Sequence, residues 1–184
     1  MNSGAGDALE SNEAAYYVVS KTKFLILFFG TLGIYKIYWF FKNWKLYKLR
    51  TDDDVWPVPR GIFNIFFVHS LFESIENFLA ERGKSSEWEG RPFATKVVVF
   101  ILAVNLTDRL MANNIGLPYT AIFHLLSIIA VGFLLGRVQD LINEACDDPS
   151  GSANSKLGIV NYLWLIPGML LWLGLFHILT HPGG

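Results

Sequence analysis

The chain is short of charge. Asp, Glu, Lys and Arg make up 17% of its 184 residues, against 52% hydrophobic and 15% aromatic residues. Soluble domains carry about a quarter charged residues, so there is too little charge here to cover a water-facing surface of this size. Cysteine is nearly absent: Cys146 stands alone, which excludes an intramolecular disulfide framework. Its acidic neighbours Asp147 and Asp148 favour the protonated thiol and argue against a reactive-thiol role. A basic excess is also missing. The net charge of −1 argues against nucleic acid as a main partner, because neutralising phosphates takes Lys and Arg. The first fifteen residues lack the basic-then-apolar order of a signal peptide. They are small, polar and mildly acidic (Asp7, Glu10, Glu13), and with the next few they read as a flexible tail over residues 1–20.

What the chain does have is long apolar segments, and they predict an all-α, polytopic integral membrane bundle with three to four transmembrane helices, in a single membrane domain over residues 21–182. Residues 157–179 carry no charge and are long enough, at ~1.5 Å per residue, to cross a ~30 Å hydrocarbon core. Asn161, Pro167 and Gly168 interrupt the segment, with a kink expected at Pro167. Residues 118–136 form the next span, opened by Pro118 and closed by Arg137, with His124 inside it and the small-xxx-small pair Gly132 and Gly136 at its end. Residues 96–114 form a third. It joins the span from 118 through a tight turn at Asn113-Asn114-Ile115-Gly116, giving an antiparallel hairpin. Asp108 and Arg109 either end that span or face other helices within it. The fourth segment, 24–41, is interrupted by Gly30-Thr31-Leu32-Gly33 and is either one kinked span or a re-entrant hairpin with both ends on one side. Lys36, ~7–8 Å from the Phe41 end of a continuous helix, would snorkel to the headgroups rather than sit at mid-depth at a cost of ~3 kcal/mol.

Residues 61–82 alternate apolar and polar faces at helical spacing. Glu73 and Glu76 are expensive in hydrocarbon, so this stretch reads as an amphipathic helix lying in the interface plane, apolar face down. Nine cations from Lys42 to Lys96 crowd the stretch between the first span and the next, while the Asn113 turn has no Lys or Arg beyond Arg109. The positive-inside rule therefore puts residues 42–96 and 137–156 in the cytoplasm. The N-terminus is outside if 24–41 spans and inside if it re-enters.

Where the chain leaves the membrane, aromatics and lysines interleave: Lys36, Tyr38, Trp39, Lys42, Trp44 and Lys45. Tyr and Trp place a ring and a polar tip at headgroup depth, and lysines beyond them meet anionic lipid. These six residues are the expected interfacial contact with lipid or a partner. The same region, with Tyr17-Val18-Val19-Ser20, Lys23-Phe24, Gly33-Ile34-Tyr35, Tyr38-Trp39-Phe40, Lys42-Asn43-Trp44, Pro59-Arg60, Phe63 and Leu71-Phe72, resembles a bacterial family of small inner-membrane proteins catalogued as domain of unknown function 4234. The resemblance covers roughly residues 16–80. It implies a helical bundle in a bacterial inner membrane and brings no activity, substrate or catalytic residue.

No nucleotide-binding glycine loop, nucleophile elbow, zincin helix or paired-cysteine site is present. His177 and His181 share a helical face without a third ligand nearby, and the acidic run from Asp140 to Asp148 reads as a solvated helix end leading to a linker. No cofactor, metal or enzymatic activity is expected. The one intramembrane polar site is Asp108, Arg109 and His124. In a hairpin, Asp108 and His124 lie at comparable distances from the turn, ~12–15 Å, where ionisable groups pair or line a polar cavity. They serve either as a packing hydrogen bond or as a relay for protons or a polar ligand. The expected function is a non-enzymatic membrane component acting through lipids, a protein partner or further copies of itself. The alternative is a small transporter or channel subunit.

Overall fold

The computed structural model describes residues 15–84 and 88–181. Most of the expected tail, residues 1–14, and residues 182–184 lie outside the described residues. Those described are helical, without a strand among them: α1 (Lys21–Gly30), α2 (Tyr35–Thr51), α3 (Pro57–Ile62), α4 (Val68–Glu81), α5 (Gly90–Ala112), α6 (Tyr119–Ala145) and α7 (Ile159–Thr180), with 3-10 turns at Asn64–Phe66 and Ser152–Asn154. Two of them, α6 and α7, are long and apolar enough to cross a membrane.

The segment 24–41 is not one helix. Leu32 and Gly33 take positive φ values of 46° and 84°, which end α1, and α2 starts at Tyr35 heading back. The Phe24 ring lies 6.0 Å from those of Tyr35 and Trp39. In a continuous helix residues 24 and 39 would be ~22 Å apart, so α1 and α2 form a helical hairpin. Its tip leaves few groups unpaired. Gly33 N–H donates to Phe28 O (2.7 Å), the Thr31 hydroxyl donates to Leu27 O (2.7 Å) and accepts from Tyr35 N–H (3.0 Å), and Trp172 Nε1–H donates to Phe29 O (2.9 Å).

Helix α1 runs along α6. Gly132 and Gly136 let it approach: a Cβ on Gly132 would sit 2.6 Å from the Phe29 ring, and one on Gly136 3.3 Å from Leu25. α7 crosses the hairpin tip in the same way, Gly168 lying directly against the Gly30 carbonyl. Apart from Gly168 and Leu175, α7 buries nothing fully. Asn161, rather than interrupting this helix, caps it, its Oδ1 accepting from Gly158 N–H (2.9 Å). α5 and α6 form the expected antiparallel pair, but α6 continues beyond Arg137 to Ala145. Val138, Leu141, Ile142 and Ala145 are buried there, so the acidic run starts on a helix end whose apolar side is packed into the core rather than solvated.

The amphipathic helix is also placed differently from expectation. The apolar face of α4 (Val68, Leu71, Phe72, Ile75, Phe78, Leu79) packs on α5, α6 and Tyr16 and is not free to lie on a lipid surface. The exposed apolar side chains lie just before it: Trp56, Val58, Ile62, Phe63 and Phe66. The periodicity of residues 61–82 reports a buried face and cannot say what buries it.

Candidate functional site

Two polar assemblies stand in this fold, one at each end of the α1–α2 hairpin. At the open end, residues 16–20 are extended and anchored, against the expectation of a flexible tail. Tyr16 and Val19 are fully buried. An extended segment has unpaired backbone groups that must find partners when buried, and here side-chain amides supply them. Asn43 Oδ1 accepts from Tyr17 N–H (3.1 Å), Gln139 Nε2 donates to Tyr17 O (3.0 Å), and Asn154 Nδ2 donates to Val18 O (3.0 Å). Asn143 pairs with both groups of Val19, accepting from its N–H (3.3 Å) and donating to its carbonyl (2.9 Å). Gln139 also bridges to Asn143 Oδ1 (2.7 Å) and takes the Trp39 indole N–H (2.6 Å). Lys23 Nζ closes the other edge on Asn154 Oδ1 and Lys156 O (both 2.7 Å). None of these amides stood out in the sequence. Gln139 and Asn143, one turn apart on a helix with apolar residues at 138, 141 and 142, were the available signal.

Beside this clamp Cys146 is partly buried, and burial, more than its acidic neighbours, pushes its thiol up. Asp147 pairs with Lys84 and with Arg82 (2.7 Å), which hold its carboxyl below the usual range. Asp148 accepts from the backbone N–H groups of Ala153 and Ser152 (2.9 Å each), which bring its pKa to about 2. These charges tie the α4–α5 connection and the α6–α7 loop together.

At the closed end, the structure brings Asp108 and His124 together and leaves Arg109 out. His124 Nδ1 lies 3.5 Å from Asp108 Oδ1 and 2.9 Å from Thr107 Oγ1. The Thr107 hydroxyl also lies 2.8 Å from Ala103 O and 2.9 Å from Val104 O, so it links the α5 backbone to the His124 ring. His124 is buried, while the Asp108 side chain is 58% exposed. Arg109, one position on, is exposed and has no carboxylate partner among the described residues. The third charge is Lys36, which interacts electrostatically with both Asp108 and His124. Its expected place at the headgroups assumed a continuous helix; the hairpin instead sets it at the tip. Beside it is a void of about 10 Å³, bordered by Gly33, Val104 and Ile128, which is room for about one water molecule.

The other residues expected at an interface divide in two. Trp39 and Trp44 are core residues, 0% and 1% exposed, so neither contacts lipid. Trp39 serves Gln139, and the Trp44 ring lies under the Arg60 guanidinium at 4.1 Å. Composition marks aromatics as interfacial but does not tell a lipid-facing side from one that another helix covers. Tyr38 is half-buried between the Tyr17 and Trp164 rings, Lys42 lies over Tyr17 at 5.7 Å, and Lys45 is exposed. His177 and His181 stack their rings at 4.9 Å, and the described residues hold no group of three ligands for a metal ion. No family model, curated protein or solved structure matches this chain.

Proposed function

We propose that the chain is a multi-pass integral membrane protein, a non-enzymatic component that works through contacts with lipids or with other membrane proteins, further copies of itself included. The observation that carries this is α7. Its 22 residues bury only Gly168 and Leu175 fully and expose large apolar side chains along the rest of their length. Such a surface is not tolerated in water at this extent and is at home against hydrocarbon or a neighbouring helix.

In this reading α5, α6 and α7 span, and the α1–α2 hairpin re-enters. A ten-residue arm is ~15 Å long, half a hydrocarbon core, and the tip meets Gly168, ~14 Å along α7. Backbone that turns at such depth must be buried in protein with its polar groups satisfied, as the tip's hydrogen bonds are. With residues 42–96 and 137–156 on the cytoplasmic side by their charge, the N-terminal clamp lies there too. The resemblance of residues 16–80 to the uncharacterised inner-membrane family supports a bacterial inner membrane as the location. Extraction of the tagged protein into lipid nanodiscs, followed by mass spectrometry, tests this. A protein partner or a homo-oligomer at fixed stoichiometry, or bound lipid that withstands washing, is the expected result. A lone monomer that carries neither contradicts it.

A second reading, a small transporter or channel subunit, is favoured by the Lys36–Asp108–His124 cluster, since ionisable groups within a bundle mark polar pathways. The single-water void beside it counts against a path through one copy. Ion flux in proteoliposomes that Asp108→Asn and His124→Ala abolish, at unchanged membrane abundance, would establish this reading over the first.

A further inference from the structure

An open groove of about 250 Å³ runs between α2, α3 and α7, walled by Ile37, Tyr38, Phe41, Val58, Ile62 and Trp164. Its inner wall is tight. A Cβ on Gly61 would lie 2.9 Å from Ile37 O and from Phe41 Cβ, so α3 rests on the α2 backbone while Val58 and Ile62 splay outward, 55% and 54% exposed. The walls are aliphatic and aromatic throughout. Cations stand at one end. Lys42 and Lys45 continue the face of α2 that carries Tyr38 and Phe41, at one-turn spacing toward the cytoplasmic side. Among the described residues neither has a carboxylate partner: Lys42 lies over the Tyr17 ring and Lys45 is exposed. Further along the same helix, Lys48 and Arg50 do have partners, Asp54 and Glu81.

An apolar slot with unpaired positive charge at one mouth matches a ligand of two parts, a hydrocarbon tail and an anionic head. We propose that the groove holds one acyl chain of an anionic phospholipid of the cytoplasmic leaflet, with its phosphate on Lys42 and Lys45. A helix from a partner or a second copy could cover the apolar walls but would leave Lys42 and Lys45 without an anionic partner. A free anion would leave the apolar walls unused. Bulk lipid offers the tail an equally apolar setting, so selectivity comes from the head. This inference rests on the reading that the chain spans a membrane.

Detergent-purified protein titrated with dioleoyl phosphatidylglycerol and dioleoyl phosphatidylcholine, followed by native mass spectrometry, resolves the first bound lipid of each kind. A lysine at the lipid surface is worth ~5-fold in affinity. The anionic lipid is therefore expected to bind ~25-fold tighter, Lys45→Ala to lose ~5-fold, and the double Lys42→Ala, Lys45→Ala variant to bind both lipids alike. Val58→Trp, which fills the slot from its open side, weakens both lipids, and thermal melts confirm that the variants fold. Equal affinities in the unaltered protein, a preference that survives the double variant, or unchanged binding in Val58→Trp overturns the proposal. Displacement of the lipid by excess inorganic phosphate overturns it in favour of a free-anion site. Protein that stays monodisperse in plain buffer and binds neither lipid refutes the spanning reading itself.

Discussion

Asn143→Ala should be among the most damaging single changes in this protein, although Asn143 touches no candidate ligand. The side chain is fully buried and holds both backbone groups of Val19, itself fully buried. Truncation leaves a buried N–H and a buried carbonyl without partners, at ~1–3 kcal/mol each. It also removes one of the two acceptors of Gln139 Nε2, which retains Tyr17 O. The expected loss is about 2–6 kcal/mol, with a thermal midpoint in micelles lower by roughly 4–24 °C. Asn113→Ala is the control: its side chain caps the exposed Arg109 carbonyl, and its removal should cost under ~0.5 kcal/mol. Hydrogen exchange reports the local event, since the Val19 amide should change from slow to fast exchange. A midpoint within a degree or two of the unaltered protein, with Val19 still protected, would refute the clamp as the anchor of this segment.

Further predictions follow from close approaches and charge. Gly151 combines a φ of 62° with a position where a Cβ would lie 2.5 Å from Ser20 N; Gly151→Ala should cost at least ~1–2 kcal/mol from the backbone conformation alone and open residues 15–20 to protease. Gly168→Ala places a methyl on the Gly30 carbonyl and should lower the thermal midpoint by an overpacking cost of ~1–3 kcal/mol, while Gly174→Ala, with nothing within 4 Å, should not. Asp147 and Asp148 titrate in the folded state below the ~3.9 of an unfolded Asp. Their contribution is complete above that value and is lost as pH falls, for Asp148 through about 2. The thermal midpoint should therefore be level near neutrality and drop in acid, and an acid limb unchanged by Asp148→Asn would contradict the role given to that carboxylate.

The sequence made some of this legible and hid the rest for identifiable reasons. Helix existence followed from apolar runs, and the Gly30–Gly33 break from two glycines within four residues. Whether that break kinked a span or reversed it depended on Phe24 meeting Trp39, a contact that no local pattern encodes. The depth of Lys36 depends on the same question: a continuous helix puts it near the headgroups, the hairpin at the tip. A short turn fixes the register of an antiparallel hairpin, which is why the sequence can set Asp108 and His124 at one level. Arg109 is adjacent to Asp108 in sequence, but a step of about 100° around the helix separates the two. The amide clamp was the largest omission. Amides on a helix resemble solvated polar positions until an extended segment with unpaired backbone is placed against them.

In the proposed topology α1 and α2 enter and leave the membrane on one side, beside three spans. It can be measured in intact cells with Cys146 replaced by serine and single cysteines placed at Lys45, Asn114 and Ser155, together with an epitope tag ahead of Met1. Each position is probed with an impermeant maleimide or with antibody before and after permeabilisation. Only Asn114 is expected to react from outside, and the tag, Lys45 and Ser155 to respond together after permeabilisation. A tag exposed to the outside while Lys45 stays protected would mean that residues 24–41 span, and would rule out a re-entrant hairpin.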